Sequence, residues 1–474
     1  MSAQPAQFGG QISEQIRAQI RGWCPGALTP MQTGDGWLVR VRPRSGTYSL
    51  AQLQAIAQAA WEHGNGEIDL TNRANLQIRG LSPISIPAAQ ALLAGAGLID
   101  GSAASEAVRN VILAPLAGLD PQAVDIRPLA RTLEAALIAD KRFHSLPGKF
   151  GFAICGGGGF ALAAGLADIT VRTSDKTLTV ELAGAHQSSP GKGEDALARC
   201  IASLRDDAGD EGLATSSDAR SGLSPSPAHR ASSPFRGEES HVAPALSLAD
   251  AFLDAALGDP SIRRMRDLVK KVGAAAVFQT AGLDIEVPQQ TKASFVPIGP
   301  LGPPDVPYAL GIGLPYGRIS APALFKLIAV ARDCGITEFR PSPGRIFIMP
   351  LASQHAAPMT AAATGLDLIT TPNDPRLAMD VCPGAPACNR GTTRTREDAE
   401  RLASVLPRSG GSIHISGCSK GCARQGAARL TLVARDGLYD IIANGSVFDT
   451  PIRTGIAPSE LAPALASLSG GQRG

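Results

Sequence analysis

The sequence lacks the features that mark several common classes of protein. Its 474 residues balance 44 lysines and arginines against 42 aspartates and glutamates, so no basic field favours a nucleic-acid partner. No apolar run approaches the roughly 18 residues of a membrane span. The opening MSAQPAQFGGQISEQ has no apolar segment of the kind that a secretory signal contains. We therefore expect a protein of the reducing cytoplasm, with no membrane contact and no disulfide framework.

Two common motifs are missing as well. The glycine run Gly156–Gly159 lacks the G-x-G-x-x-G order, the ribose-binding acid and the flanking helix of a dinucleotide-binding fold. No His-x-Asp or His-x-Glu pair indicates a facial triad for a mononuclear iron. The histidines His63, His144, His355 and His414 are unpaired in the sequence, and we expect them to be structural.

Four of the eight cysteines lie between Val381 and Arg424, in a C-x5-C pair and a C-x3-C pair. They are Cys382, Cys388, Cys418 and Cys422. Four thiolates that converge from two loops bind an iron–sulfur cluster or a structural zinc. Zinc sites usually space paired ligands by two to four residues, which the C-x5-C pair fits poorly. The alternative is four unpaired structural cysteines, like the scattered Cys24, Cys155, Cys200 and Cys334.

The second cysteine pair allows a more specific prediction. If a helical turn begins near Ser416, Cys418 and Cys422 lie at i and i+4 on one face. The free N–H groups of that turn would then point at the thiolates. Gly417 and Gly421 would let the backbone approach the sulfur atoms closely.

Two neighbouring strands present polar faces that are rich in arginine and amide side chains. In Trp37–Arg44, Arg40 and Arg42 alternate with Val39 and Val41. In Glu67–Gly80, the polar face carries Arg73, Asn75, Gln77 and Arg79. A solvated strand face is the simpler interpretation, but the absence of acids among these residues favours an anion-binding surface. A helix over 49–62, with a serine cap, connects the two strands.

The pattern of elements repeats along the chain. The strand–helix–strand unit recurs at 307–350, and Phe152–Gly184 matches Ile413–Gly445 in its order of strands, glycine-rich loop and turn. Further helices are predicted at 11–22, 127–139, 246–280 and 396–406. The chain therefore reads as a duplication with a site between its halves. We name its units A1 (18–85), B1 (104–205, without cluster cysteines), A2 (246–355, including a helical segment packed beside the second half) and B2 (356–470, with the cysteines). Residues 206–242 are expected to be a disordered insertion.

These motifs together resemble the nitrite/sulfite reductase superfamily, over nearly the whole chain outside 206–242. The resemblance rests on LTNRANLQIRG, C-x5-C and C-x3-C within a duplicated chain. It implies an α+β fold with pseudo-twofold symmetry, built from two ferredoxin-like half-domains and two α/β iron–sulfur/sirohaem-type domains. It also implies that the four clustered cysteines ligate one [4Fe-4S] cluster, with Cys422 at the position that bridges to a sirohaem iron.

The resemblance also implies a set of groups that bind tetrapyrrole carboxylates and a small oxyanion. Arginine forks suit carboxylates. The candidates are Arg40, Arg42, Arg73, Asn75, Gln77, Arg79, Arg109 and Lys149, with Lys420, Arg390 and Arg424 near the cluster as weaker ones. Ala74 replaces a glutamine that is usual in the family, and Gly151 stands where sulfite reductases have a second lysine and nitrite reductases often have asparagine.

Two further stretches, RGWCPGALTPMQTGDGWLVRVRP and GLPYGRI, resemble one branch of the superfamily, the precorrin-3B synthases of aerobic cobalamin biosynthesis. This implies a monomeric monooxygenase that hydroxylates precorrin-3A at C20 with dioxygen and forms a γ-lactone. The branch further implies a mononuclear non-haem iron beside the cluster, with unassigned ligands, and an external donor such as an NADH-linked reductase or a ferredoxin-like protein. The alternatives are a sirohaem-dependent sulfite or nitrite reductase, and a non-catalytic zinc- or cluster-binding scaffold.

Overall fold

The computed structural model describes most of residues 24–470. The ranges outside the description are 1–23, 161, 164, 174–176, 185–198, 204–237, 284–295, 406–410, 425 and 471–474. The predicted helix at 11–22 and most of the predicted insertion at 206–242 lie outside the described residues. The last residues of that insertion are helical, because a helix begins at Glu238. In the described part of the chain, no helix combines the length and the apolar character needed to cross a membrane.

A1 folds as an antiparallel sheet with helices that pack on its apolar face. Its elements are β1 (Met31–Thr33), β2 (Gly36–Val41), β3 (Tyr48–Ser49), α1 (Leu50–His63), β4 (Glu67–Leu70), β5 (Leu76–Leu81) and α2 (Ile86–Gly95). The predicted serine cap is present, as a capping box between Ser49 and Gln52. Where one strand region was predicted at 67–80, β4 and β5 form a hairpin around the loop 71–75.

B1 and B2 have the same topology. B1 contains α3 (Ala103–Val108), β6 (Val111–Leu113), α4 (Arg127–Ala139), β7 (Phe152–Cys155), β8 (Ile169–Thr173), β9 (Thr177–Leu182) and β10 (Arg199–Ser203). Strands β6, β7 and β8 are parallel, and β9 and β10 continue the sheet antiparallel.

Three helices connect B1 to A2: α5 (Glu238–Gly258), α6 (Met265–Val272) and α7 (Ala274–Thr280). The prediction that this segment packs beside the second half is wrong. The Phe252 ring of α5 lies 4.7 Å from the ring of Phe150 in B1. Arg264 Nη2 also lies 2.7 Å from Oδ2 of the buried Asp168, which precedes β8. The apolar faces of these helices therefore cover the first half.

The second half repeats the two units. A2 contains β11 (Gly299–Leu301), β12 (Ala309–Gly313), β13 (Arg318–Ser320), α8 (Ala321–Asp333), β14 (Glu338–Ser342) and β15 (Ile346–Pro350). The helix α9 (Ala356–Gly365), like α2 in the first half, lies just past the predicted boundary of its unit but packs into the core of that unit. B2 contains β16 (Met379–Val381), α10 (Thr395–Ala403), β17 (Ile413–Ser416), β18 (Ala428–Arg435), β19 (Leu438–Gly445), β20 (Arg453–Ile456) and α11 (Leu461–Gly470). The sheet of B2 repeats the order of B1, with three parallel strands followed by two antiparallel ones.

The two A units exchange edge strands. β13 of A2 pairs with β4 of A1, so that Ile319 lies opposite Ile68. β3 of A1 pairs with β14 of A2, so that Tyr48 lies opposite Phe339. Buried residues of both units form one hydrophobic core, and the halves are therefore parts of one folded body.

Candidate functional site

A cavity of about 390 Å³ lies where the four units meet. A1 contributes β2, the end of β4, the loop 71–73 and β5, and B1 contributes Lys149. A2 contributes two residues, and B2 contributes the cysteine loops and the start of α10. The lining residues are Cys24, Arg40, Asp69, Leu70, Thr71, Asn72, Arg73, Gln77, Lys149, Tyr316, Arg345, Val381, Cys382, Pro383, Arg396, Cys422 and Ala423. The cavity thus lies between the two halves of the chain, where the duplication predicts a site.

Four of the predicted ligand-binding residues line the first-half side of this cavity: Arg40, Arg73, Gln77 and Lys149. Arg40 and Gln77 lie opposite each other on β2 and β5. With the Gln77 amide oxygen turned towards Arg40, it accepts from Nε at 3.3 Å and from Nη2 at 2.9 Å. Arg73 Nη1 donates to the carbonyl oxygen of Lys149 at 2.9 Å. Both guanidinium groups are thus held in place with donors left over for an anion.

The loop between β4 and β5 is ordered by its own hydrogen bonds. The Thr71 hydroxyl accepts from the backbone N–H groups of Arg73 (3.3 Å) and Asn75 (3.2 Å). Ala74 has a φ of 57°, a backbone conformation that residues other than glycine rarely adopt. Asn72 donates to the carbonyl oxygen of Ala423 at 3.3 Å. The loop therefore connects the part of the cavity lined by Arg40, Arg73 and Lys149 to the second cysteine pair.

Two predicted ligand-binding arginines, Arg42 and Arg109, are buried in ion pairs and do not line the cavity. Arg42 Nη1 lies 3.1 Å from Glu106 Oε1, and the Glu106 carboxylate also accepts from the N–H groups of Ala27 and Leu28. Arg109 Nη2 lies 2.8 Å from Asp100 Oδ2. These arginines support the loop behind Cys24 and the junction of A1 with B1.

Arg79 and Asn75 are also buried away from the cavity. Arg79 donates to both oxygens of Asp35 at 2.9 Å and to the carbonyl oxygen of Ala387 at 2.6 Å. Ala387 directly precedes Cys388, so Arg79 holds the first cysteine loop against A1. The strands do present polar faces, but some polar side chains of each face hold neighbouring loops in place and do not reach the cavity.

The four clustered cysteines come together from two loops. Cys382 and Cys422 line the cavity, and Cys388 and Cys418 lie outside its lining. Burial raises the pKa of the Cys422 thiol; Lys420 lowers it, and the nearby thiols of Cys382, Cys418 and Cys388 raise it further. Metal binding replaces the thiol protons, so such a group of thiols suits a bound cluster.

The backbone around these cysteines differs from the prediction in one respect. Residues 417–424 form bends and a turn, and the predicted helical turn from Ser416 is absent. One N–H group nevertheless points at a sulfur, because Gly417 N lies 3.1 Å from Cys382 Sγ. Gly421 has a φ of +62°, and a Cβ there would lie 2.8 Å from a methyl group of Val447. Glycine is therefore required at this turn.

The donor set and the close packing of the loops fit a [4Fe-4S] cluster. Thr392 N donates to the Gly417 carbonyl oxygen at 3.0 Å, which links the two cysteine loops. Among the described side chains, no three His, Cys, Asp or Glu groups are arranged as ligands of a single metal ion. A cluster binds each thiolate to a different iron, so its four cysteine sulfur atoms lie farther apart than those around a single zinc ion. The same finding means that the described residues do not fit the expected mononuclear iron.

Several cavity residues were not predicted from the sequence. Asp69, Arg345 and Arg396 line the cavity but come from three different units, and no motif links them. Tyr316 lies in GLPYGRI, a stretch that the sequence did single out. Cys24 also reaches the lining, whereas the weaker candidates Lys420, Arg390 and Arg424 do not.

Other predicted positions have simple structural surroundings. His144 Nε2 lies 3.0 Å from the Ile138 carbonyl oxygen. His414 is buried on β17, and burial lowers its pKa to about 4. At Gly151, a Cβ would lie 2.8 Å from Asn110 Nδ2 and 3.3 Å from Arg73 Nη1, so a lysine there would require both neighbours to move.

Comparison with known proteins agrees with this architecture. The family described as the nitrite/sulfite reductase ferredoxin-like half domain matches residues 29–96. A ferredoxin–nitrite reductase from Synechococcus elongatus is 26% identical over 92% of this chain and 86% of that protein. The solved structure of Mycobacterium tuberculosis NirA superposes with a TM-score of 0.64 at 16% identity, covering 92% of this chain and 80% of that one. The predicted α+β fold is thereby confirmed.

A more similar relative narrows the family. A precorrin-3B synthase from a Sinorhizobium species is 31% identical over 443 residues, which cover 92% of this chain and 85% of that protein. The chain therefore belongs to the precorrin-3B synthase family of the nitrite/sulfite reductase superfamily.

Proposed function

We propose that this protein is an iron–sulfur monooxygenase that hydroxylates precorrin-3A at C20 with dioxygen and closes a γ-lactone from the ring-A acetate. One observation carries the proposal: Arg40, Arg73 and Lys149 line the same cavity as Cys382 and Cys422. A polycarboxylate macrocycle needs several cations, and a redox reaction needs an electron carrier close to it. The similarity to a precorrin-3B synthase supports this choice of substrate.

The protein's own residues bind and orient the substrate. Arg40, held by Gln77, and Arg73, held by the Lys149 carbonyl oxygen, offer preorganised guanidinium donors to carboxylates. Burial lowers the pKa of Arg73, and the neighbouring Arg264 lowers it further. An anionic substrate beside it would favour the charged form. Lys149 is exposed at the cavity and adds a mobile ammonium group.

A [4Fe-4S] cluster held by Cys382, Cys388, Cys418 and Cys422 would supply one-electron transfer at the cavity wall. The N–H of Gly417 donates to Cys382 Sγ, and the link between Asn72 and Ala423 keeps the second loop against the substrate wall. The overall reaction needs two electrons and two protons from outside, with one oxygen atom entering the product and the other leaving as water. An external donor protein or reductant must supply the two electrons, and the protons come from the solvent.

Isotope labelling tests this function directly. Protein purified without oxygen is reduced and given precorrin-3A and oxygen-18 gas. The expected product has gained one labelled oxygen atom and contains a lactone, as measured by mass spectrometry. A product without label, or unchanged substrate in the presence of an intact cluster and reductant, would overturn the proposal.

A second candidate is a sirohaem-dependent nitrite or sulfite reductase. The full-length similarity to a nitrite reductase favours it, as does the exposed Cys422 at the cavity, where it would meet a sirohaem iron. The absence of a cation or amide at Gly151 counts against it, because an oxyanion reduction needs charge and proton donors around the anion. Extraction of sirohaem from the purified protein, together with nitrite or sulfite turnover, would establish this second function instead.

The location and partners of the protein are part of the same proposal. We place it in the cytoplasm as a monomer, with a ferredoxin-like protein or an NADH-linked reductase as the donor. Gel filtration and cross-linking to a reduced ferredoxin test these two points.

A further inference from the structure

The second half contributes two arginines to the cavity, in addition to the cations of the first half. Arg396 belongs to the first turn of α10, and Arg345 lies in the turn between β14 and β15. Both line the cavity, and neither belongs to the predicted set of ligand-binding residues. Both halves of the chain therefore contribute positive charge to the cavity.

Arg396 is incompletely satisfied. Its Nη2 lies 3.0 Å from Asp69 Oδ1, and its side chain is 16% exposed. Its Nε and Nη1 are buried and have no hydrogen-bond partner among the described residues. A buried donor without a partner is unfavourable, so this side chain is poised to bind an anion.

Asp69 cannot neutralise the cations around it. It also pairs with Arg318, whose Nε lies 2.9 Å from Oδ1, and with Arg79, whose Nη1 lies 3.5 Å from Oδ2. Within this group, the four guanidinium cations are Arg79, Arg318, Arg345 and Arg396, and the three carboxylates are Asp35, Glu67 and Asp69. Asp380, which also faces Arg345, is engaged by Arg424 at 2.9 Å. Four guanidinium cations thus meet three carboxylates in this group, so one positive charge has no carboxylate to balance it.

Arg345 is held in an unusual backbone conformation. Its φ is 65°, a backbone conformation that is strained for a residue with a side chain. Its Nη2 donates to the carbonyl oxygen of Val381 at 3.1 Å, the residue before Cys382. Within the described residues no other hydrogen bond engages this guanidinium, so its remaining donors are available to a ligand.

We propose that Arg396 and Arg345 form a second carboxylate-binding subsite, oriented by Asp69, which takes one acidic substituent of the bound macrocycle. This inference rests on the proposed function, because it assumes a polycarboxylate tetrapyrrole in the cavity. The planar guanidinium groups bind a carboxylate through paired N–H donors. The subsite adds two guanidinium groups to Arg40 and Arg73 on the same cavity, so a macrocycle that engages both sets is held in one orientation.

The test uses the cluster-loaded protein and two stable probes, measured by fluorescence titration. Uroporphyrin carries a carboxylate on all eight substituents, and coproporphyrin has methyl groups in place of the four acetates. In Arg396→Gln, we expect the affinity for uroporphyrin to fall roughly tenfold to a hundredfold. Arg345→Gln should show a smaller loss in the same direction. Arg435→Gln removes an equal charge at an exposed ion pair with Asp440 and should change nothing.

The two probes identify the group that the subsite takes. A loss on uroporphyrin alone supports a subsite for an acetate, and a loss on both supports one for a propionate. Unchanged affinity for both probes in Arg396→Gln and Arg345→Gln overturns the subsite while leaving the tetrapyrrole cavity in place. If the wild-type protein binds neither probe, both the subsite and the proposed substrate class are wrong.

Two controls separate a ligand role from a structural one. The ligand-free Arg396→Gln protein should melt at or above the wild-type temperature, because Asp69 keeps Arg318 and Arg79 and the unpartnered donors are gone. The stabilisation by uroporphyrin should shrink. If the variant keeps its porphyrin affinity but shifts the reduction potential of the cluster, Arg396 balances the charge of the cluster and the subsite is overturned.

Discussion

Asp69 is the one acid among the described residues that line the cavity. Burial raises the pKa of its carboxyl group, but Arg396, Arg318 and Arg79 lower it by more, and the net pKa lies below the ordinary value. Asp69 therefore stays ionised and holds three guanidinium groups in place. The ionisation state of such a residue depends on the charges that surround it in space. The order of residues along the chain does not reveal those neighbours.

The cluster proposal makes a prediction for one cysteine. Cys388→Ala removes one of the four ligands and should abolish the broad visible absorption and most of the bound iron, since three thiolates leave one iron without its ligand. Absorption spectra and iron analysis of protein purified without oxygen measure this. Cys155→Ala, at a buried free cysteine of B1, should keep both signals. A Cys388→Ala protein with full iron and full absorbance would disprove the ligand assignment.

Glu134 gives a prediction for pH. Burial raises the pKa of this carboxyl group from 4.5 to about 7, although Arg109 and the N–H of Ser45 act in the other direction. Between these values the folded protein keeps a proton that the unfolded chain releases, so stability present below pH 4.5 is lost as the pH rises through 7. Glu134→Gln cannot ionise and should remove up to about 3 kcal/mol of this pH dependence.

Urea unfolding of the wild type and Glu134→Gln at pH 5 and pH 8 measures the effect. The variant should be the more stable protein at pH 8 and should differ little from the wild type at pH 5. Glu397→Gln, at an exposed residue, is the control. An equal loss of stability with pH in Glu134→Gln and the wild type would contradict the assignment of the raised pKa.

At the scale of elements, the β1–β2 hairpin and the first cysteine loop form one structural unit. A Cβ on Gly34 would lie 1.9 Å from the carbonyl oxygen of Pro386, so the hairpin turn and the loop are in direct contact. Arg79 joins them, because it binds both Asp35 in the turn and Ala387 in the loop. A strand of the first half thereby positions a cysteine of the second half.

The variant Arg79→Met should break this unit. It leaves the Asp35 carboxylate without its guanidinium partner and removes one of the three guanidinium partners of Asp69, for which we expect a loss of about 3–5 kcal/mol in the free energy of unfolding. The cluster should also be lost faster on exposure to a chelator, because the loop that carries Cys388 is released. Denaturant unfolding and the decay of visible absorbance measure the two effects. Arg435→Met, at an exposed pair, should alter neither, and wild-type stability in Arg79→Met would refute the role.

At the scale of the whole molecule, the exchange of β3 and β13 couples the halves. Each A sheet is completed by a strand of the other unit, and α1 and α8 contribute to one core. All three tryptophans lie within residues 1–61, whereas the four clustered cysteines lie in B2. Tryptophan fluorescence and cluster absorbance therefore report on opposite halves.

Ile319→Ala tests the coupling. Ile319 is 2% exposed on the exchanged strand β13, and its truncation should cost roughly 2–5 kcal/mol. Because the halves share a core, fluorescence and cluster absorbance should shift together to lower denaturant concentration. Ile84→Ala, at a residue that is 91% exposed, should leave both transitions in place. Separate midpoints for the two signals in Ile319→Ala would show that the halves unfold independently.

Local pattern predicted much of this fold. Helix α1 with its serine cap, helix α4 and the alternation along β2 and β5 follow from short-range periodicity. The two helices lie at or within one residue of the predicted positions, whereas β2 ends at Val41, three residues before the predicted end at Arg44. The helical segment predicted at 246–280 packs against the first half and not the second, because an apolar helix face does not specify which sheet it will cover. The turn at 417–424 departed from a helix because contacts with other loops decide its shape.

The sequence by itself determined the duplication, the grouping of the four cysteines and the polar faces of the first half, because each is written in the spacing of neighbouring residues. The tertiary structure decided which of the polar residues reach the cavity. Arg40, Arg73, Gln77 and Lys149 line it, whereas Arg42, Arg79 and Arg109 are buried in ion pairs. It also brought Asp69, Arg345 and Arg396 together. A buried charge must find its partner in space, and that partner can lie more than 300 residues away along the chain, as Arg396 does from Asp69.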